Sequence, residues 1–237
     1  MALSHGPPIV TSGLVLALDA ADRNSYPGSG TTWTDLSGRG NNGTLTNGPT
    51  YSSSNGGSIS FTGTSSHYIT LGDNKLQYQD NFTVESFCRF TNLPNNPGSA
   101  CGARHPIVYN HDFGYNLLVG SDGKVYWNVY NTSSTNINIS STNSVVGSNY
   151  FHAVGIKSGT TCSLYVNGIF QSSANLTTNA VYYAGVGYPF VIGGFAICGP
   201  DRFYATGNIS NVKIYNRALT ASEIQQNFNA LRGRFNI

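Results

Sequence analysis

The chain predicts an all-β protein of two packed antiparallel sheets with one short C-terminal helix, and three observations carry that expectation. Asn, Ser and Thr number 27, 27 and 21, or 75 of 237 residues, while 28 Gly, 9 Pro, one Met and two Glu leave few helix formers. Fifteen Tyr, 12 Phe and two Trp supply the apolar area that a disordered polar chain lacks. Short apolar–polar alternations recur between Gly- and Asn-rich turns, as half-buried strands require.

Residues 1–12 read as an extended arm. Pro7 and Pro8 disfavour helix, and Ile9 and Val10 offer apolar side chains to a neighbour. Residues 13–237 read as one domain. Leu14, Leu16 and Leu18 share a face of a first strand that ends at Asp19. The stretch 22–57 reads as irregular, with turns at Asn42-Gly43, Asn47-Gly48 and Asn55-Gly56 and with Trp33 and Leu36 as anchors to the core. Strands are expected at 58–61 and 68–71. Between 82 and 90, Phe82, Val84, Ser86, Cys88 and Phe90 alternate with Thr83, Glu85, Phe87 and Arg89, and Phe87 on the polar side implies cover on both faces.

After a Pro- and Asn-rich loop (91–106), strands are expected at 107–110, 115–119 and 124–130, the last two joined through Ser121-Asp122-Gly123. Val125, Trp127 and Val129 share one face there, and Tyr126 and Tyr130 the other. Residues 131–149, dominated by Ser, Thr and Asn, read as loop. Strands at 151–156 and 162–166, a turn at Asn167-Gly168 before Ile169-Phe170, and strands at 191–192 and 209–215 complete the sheets. Thr220-Ala221-Ser222-Glu223 is a capping box, Thr220 the N-cap and Glu223 at N3; it opens a helix whose Ile224, Phe228 and Leu231 form one stripe.

Several function classes fall away on composition. Only 9% of residues are charged, against about 25% in an average domain, and the net charge of +2 comes from scattered basic residues. Such a chain has little field for a nucleic acid. The apolar runs are too short to span a membrane, and the first twelve residues lack the basic start and apolar core of a secretory signal. Glycoside hydrolysis needs two carboxyls across the scissile bond. Glu223 is assigned to the cap, and Glu85 has only Asp80 nearby, outside its strand. We therefore expect no enzyme and assign no catalytic residue.

His67, His105, His111 and His152 lack metal-ligand spacing, and His111-Asp112 reads as a polar turn. Cys88 and Cys162 read as buried thiols in strands; Cys101 and Cys198 sit in Gly-rich loops where a disulfide is an open alternative. Asp19, Asp73, Asp112 and Asp201 are weak calcium candidates without a compact acidic run, and a turn-capping role is the plainer one. Tyr26, Tyr51, Tyr78, Tyr182, Tyr183 and Tyr188 lie in or beside loops, where such rings contact either sugars or proteins.

The opening Gly13-Leu-Val-Leu-Ala-Leu-Asp-Ala-Ala-Asp22, with Trp33-Thr-Asp-Leu-Ser-Gly38 and Asn41-Asn-Gly-Thr-Leu45, resembles the start of laminin-G-like, concanavalin A-like domains. Ser60-Phe-Thr-Gly63, Leu164-Tyr-Val-Asn-Gly168 and, most specifically, the ending from Gly207 to Ile224 carry the same resemblance. It implies a two-sheet jelly-roll sandwich and a family of carbohydrate-binding modules, adhesive repeats and calcium-dependent lectins. The low charge and short arm also resemble stand-alone proteins of tailed bacteriophages. That implies a non-enzymatic virion surface protein, a capsid decoration or tail or fibre appendage, assembled in the host cytoplasm. Present in several copies, it would dock on other structural proteins through Pro7, Pro8, Ile9 and Val10. The alternative is a lectin-like adhesion module that contacts glycan through Tyr26, Tyr51, Tyr182, Tyr183 and Tyr188, with calcium the candidate cofactor.

Overall fold

The computed structural model describes residues 7–63, 66–73, 75–94, 103–110, 114–131, 136–183, 189–194 and 203–237. The first half of the chain forms β1 (Leu14–Asp19), β2 (Thr32–Trp33), β3 (Gly43–Thr46), β4 (Thr50–Ser52), β5 (Ser58–Thr62), β6 (Tyr68–Asp73), β7 (Asn81–Arg89) and β8 (Arg104–Asn110). The second forms β9 (Tyr115–Gly120), β10 (Val125–Tyr130), β11 (Asn136–Ser140), β12 (Phe151–Ser158), β13 (Thr161–Val166), β14 (Ile169–Asn175), β15 (Pro189–Ile192), β16 (Thr206–Tyr215) and then α1 (Ala221–Phe235). One sheet runs β14-β13-β12-β7-β16-β5-β4 with β1 also on β16, and the other runs β11-β10-β9-β8-β15-β6-β3-β2. Along one flank of β16, Thr206–Ile209 pair with β5 and Asn211–Tyr215 with β1; β7 takes the opposite flank. The result is the all-β, two-sheet antiparallel jelly-roll sandwich with one C-terminal helix that the alternation predicts.

The core lies between the sheets. Phe82, Val84, Cys88 and Phe90 face inward from one side, and Tyr115, Leu117, Val125, Trp127 and Val129 meet them from the other. Trp127 is the largest of these contacts. Its ring lies against Gly155 of β12, where an added Cβ would come within 2.3 Å of the indole. Its Nε1–H donates across the sandwich to the Ile156 carbonyl at 3.1 Å.

The first sheet is covered on its outer side as well, as Phe87 implied. The ring of Phe87 stacks against Phe228 and Phe235 of α1, with Tyr150 beside Phe235. The helix opens on the expected box: the Glu223 amide donates to Thr220 Oγ1 and the Thr220 amide to Glu223 Oε2. Arg217 adds a bidentate pair to Glu223, at 2.6 and 2.9 Å, and holds its carboxyl at about 2. At the Asn167-Gly168 turn both residues have positive φ, 52° and 76°, the geometry a two-residue hairpin needs.

Three expectations need correction. The stretch 22–57 is not wholly irregular, since it contains β2, β3 and β4, whose Thr- and Gly-rich segments are too short to show a period. Residues 136–140 are a strand, β11, because Ile137 and Ile139 point inward between outward Asn side chains. Leu36 is 41% exposed and anchors nothing, whereas Trp33 is fully buried as expected.

Placing a methyl group at residue 155 tests the Trp127 contact. Gly155→Ala is expected to lower the unfolding free energy by about 3 kcal/mol, read from the urea midpoint. An unchanged midpoint would remove this contact from the account of sheet packing.

Candidate functional site

Among the described residues no helix lies on the outer face of the second sheet, and β8 to β11 turn their alternate side chains to that side. Register places Asn116 opposite Asn128, and Asn128 opposite Asn138, so three amides form a row across β9, β10 and β11. In the next row Leu118 faces Tyr126, and Tyr126 faces Ser140. At the sheet's end Arg104 pairs with Gly120. Of these, Arg104, Leu118, Gly120, Tyr126, Asn128 and Asn138 line a cavity of about 180 Å³, together with Ala103 and Ser121.

Local chemistry explains how the ring is held. A Cβ at residue 120 would come within 2.6 Å of Tyr126 Cε2, so glycine lets the tyrosine ring close over the end of β9. The Tyr126 hydroxyl donates to Asp122 Oδ2 at 2.9 Å, and Asp122 Oδ1 accepts from the Lys124 amide. Burial and the Asp122 carboxylate raise the phenol's pKa above its ordinary value, against the opposing charge of Arg104. Asn116 and Asn128 are buried, and among the described residues the Oδ1 of each lacks a hydrogen-bond partner. Each unpaired buried acceptor costs about 1–3 kcal/mol. A ring face, amides with spare acceptors and a guanidinium suit a polyhydroxylated ligand.

The residues singled out from sequence lie elsewhere. Tyr26 is 3% exposed, its hydroxyl donating to the Gly30 carbonyl and its ring packed on Tyr51, so it is not the open loop ring expected of it. Tyr51 is half-buried against the core beneath the Arg23 guanidinium. Tyr183 donates to the Tyr78 carbonyl and meets Tyr115 edge-on, which leaves Tyr182 as an exposed ring. None of these lines the Tyr126 cavity, and Tyr188 lies outside the described residues. Alternation along 124–130 had already turned Tyr126 outward; the register that sets it beside the amide row was not legible.

The expected docking arm is folded onto its own domain. Val10 packs with Val154, Ile156, Tyr215, Leu219 and Ile224. Its amide donates to Asn227 Oδ1 at 2.8 Å, and its carbonyl accepts from the Tyr215 hydroxyl. Gln226 Nε2 donates to the Pro8 carbonyl. Ile9 is half-buried, so only Pro7 and Pro8 stay exposed. The outward anchor is corrected to that extent, because α1 supplies the apolar and polar partners that Val10 was expected to seek elsewhere.

Asp19 is held by Arg234 at 2.8 and 3.0 Å, a guanidinium where a cation was considered. Asp73 ends β6, and Asp112, Asp201, His111, Cys101 and Cys198 lie outside the described residues. Among the described residues no three His, Cys, Asp or Glu side chains gather at metal-binding distance. Cys88 and Cys162 are buried free thiols, as expected. One cation site is filled by the chain itself: buried Lys157 donates to the carbonyls of Asp80, Gly159 and Asn179 and to Asn179 Oδ1, at 2.6–3.1 Å.

Glu85 lies in a closed polar cluster under α1. Its carboxylate meets Lys213 Nζ at 3.1 Å, Asn227 Nδ2 at 3.0 Å and His152 Nε2 at 3.5 Å. Burial works to raise its pKa, but Lys213, His152 and Asn227 outweigh that and hold it at about 2. Burial pushes the His152 imidazole below its ordinary value against the pull of Glu85, with its ring stacked on Phe87. In the unfolded chain His152 gains a proton near pH 6.5 and Glu85 near pH 4.5. Folding stability is therefore expected to fall as pH drops below about 6.5, and again from about 4.5 towards 2. His105, lowered by burial, shares the upper window. In urea titrations across pH, His152→Gln should make the upper decline shallower, and the lower one shallower too because Glu85 loses one of the groups that depress its pKa; superimposable profiles would contradict this assignment.

Comparison with known proteins places the fold. The binding domain of Paraclostridial Mosquitocidal Protein 1 superposes with a TM-score of 0.70 at 20% identity, over 92% of this chain and 52% of that one. Domain 4 of AbnA, a GH43 extracellular arabinanase from Geobacillus stearothermophilus solved with arabinotriose, gives 0.67 at 18%, over 92% and 98%. Trypanosoma rangeli sialidase in complex with sialic acid gives 0.67 at 18%, over 99% and 37%. The chain thus spans about half of the toxin domain and little more than a third of the sialidase, and at these identities the likeness is one of fold. No curated protein sequence matches. The Laminin_G_3 model, described as the concanavalin A-like lectin/glucanases superfamily, matches residues 62–225. With most of the two sheets inside that match, the chain belongs to the Laminin_G_3 family of concanavalin A-like domains.

Proposed function

We propose that the protein is a non-enzymatic carbohydrate-binding module whose site is the outer face of the second sheet at Tyr126. One observation carries the reading: Tyr126, its ring held over Gly120, lines one cavity with Arg104, Asn128 and Asn138. A ring face beside amides and a guanidinium suits a ligand with an apolar ring face and hydroxyl groups. The arabinanase domain solved with arabinotriose supports the same class of partner. The non-enzymatic part rests on the two glutamates. Glu85 is sealed with Lys213 and Glu223 is held by Arg217, so neither is placed to flank a glycosidic bond.

Glycan-array screening of the full chain followed by calorimetry tests the site. Tyr126→Ala should weaken binding by about tenfold or more. Asn128→Ala should weaken binding while leaving the unfolding midpoint unchanged or higher, because it deletes an unsatisfied acceptor. A silent array, or undiminished binding by both variants, would reject the site.

Incorporation into a virion is a second reading, favoured by Pro7 and Pro8, which stay exposed where the N-terminal segment runs beside Gln225 and Gln226 of α1. The two readings are compatible, since a particle-borne module also adheres. Mass spectrometry of purified phage particles should find the protein in multiple copies; its absence there ends this reading and leaves the first standing.

A further inference from the structure

Among the described residues, Arg104 is the one charged residue lining the Tyr126 cavity. It is half-buried and, among the described residues, makes no hydrogen bond or ion pair; its electrostatic neighbour is the Tyr126 phenol. The acid at this rim, Asp122, is already engaged by the Tyr126 hydroxyl and the Lys124 amide. Elsewhere Arg217 is engaged by Glu223, Arg234 by Asp19, and Arg89 in part by Asn208, its Nε lacking a partner among the described residues. An uncommitted guanidinium inside a cavity presents a planar fork of donors that matches a carboxylate in two parallel hydrogen bonds.

Resting on the carbohydrate reading, we infer that the cavity takes a sugar ring bearing a carboxylate, a uronate or a sialate. Arg104 receives the carboxylate, the Tyr126 ring faces the sugar ring, and the amides of Asn128 and Asn138 line the cavity beside its hydroxyls. The volume of about 180 Å³ lies below the roughly 300–1,000 Å³ of drug-sized ligand pockets, which suits one ring rather than a buried chain. A neutral sugar at the same place leaves the guanidinium partly desolvated and unpaired, a cost that the carboxylate removes.

Calorimetry on the full chain with two matched pairs tests this: sialyllactose against lactose, and trigalacturonic acid against its methyl ester. The acidic member of one pair should bind roughly tenfold or more tightly than its neutral partner, and the gap should narrow as NaCl rises. Which pair shows the gap separates sialate from uronate. Arg104→Gln should erase the gap. Lys124→Gln, an equal loss of charge outside the cavity lining, should preserve it. Equal affinities within both pairs, a gap that survives Arg104→Gln, or a gap lost equally with Lys124→Gln overturns the inference and leaves carbohydrate binding in place. No binding to these four probes, with array hits on other neutral glycans, also overturns the inference alone. Silence of probes and array together brings down the carbohydrate reading itself.

Discussion

The contact between Trp127 and Gly155 joins the two sheets, and much else follows from it. A fully buried indole reaches the opposing backbone because residue 155 has no side chain, and its N–H is satisfied by the Ile156 carbonyl. That one interaction combines large apolar burial with a hydrogen bond across the sandwich, so it orients β10 as well as holding it. Strand geometry then leaves no choice for the neighbours. With Trp127 turned in, Tyr126 and Asn128 are turned out, onto the face that carries the cavity.

The interior handles charge in two ways. Glu85 and Lys213 oppose each other beneath α1, and Asn227 bridges that pair to Tyr215 and to the Val10 amide. Lys157 is enclosed by carbonyl oxygens without a counter-ion in hydrogen-bond contact, a ring of oxygens around a tethered ammonium. Both clusters are closed, because a buried charge is tolerated when its partners are fixed. The outer face of the second sheet differs. Among the described residues, Arg104 there makes no hydrogen bond or ion pair.

Family membership accounts for the architecture and leaves the chemistry to particular side chains. The sandwich that superposes on a toxin domain and on an arabinanase domain places side chains on a broad sheet face, and one fold carries many uses. On that face, β8 to β11 of this chain carry Arg104 at the end, Tyr126 over Gly120, and a row of three asparagines.

Sequence alone determined the two-sheet class, most strands, the Thr220–Glu223 cap and the outward side of Tyr126, because each depends on a local period or on residues three or four apart. It also showed, through Phe87, that one sheet is covered on both faces. Tertiary structure decided the rest. The amide row exists only once three strands are in register, and no pattern within a single strand encodes that alignment. The fate of the N-terminal segment depended on α1, more than 200 residues away, whose Asn227 captures Val10. Loop tyrosines that read as exposed were drawn inward by distant partners, Tyr26 by Tyr51 and Tyr183 by Tyr78, which sequence does not reveal as neighbours. Local chemistry is written along the chain, whereas a site assembled across strands comes into being only when the sheet closes.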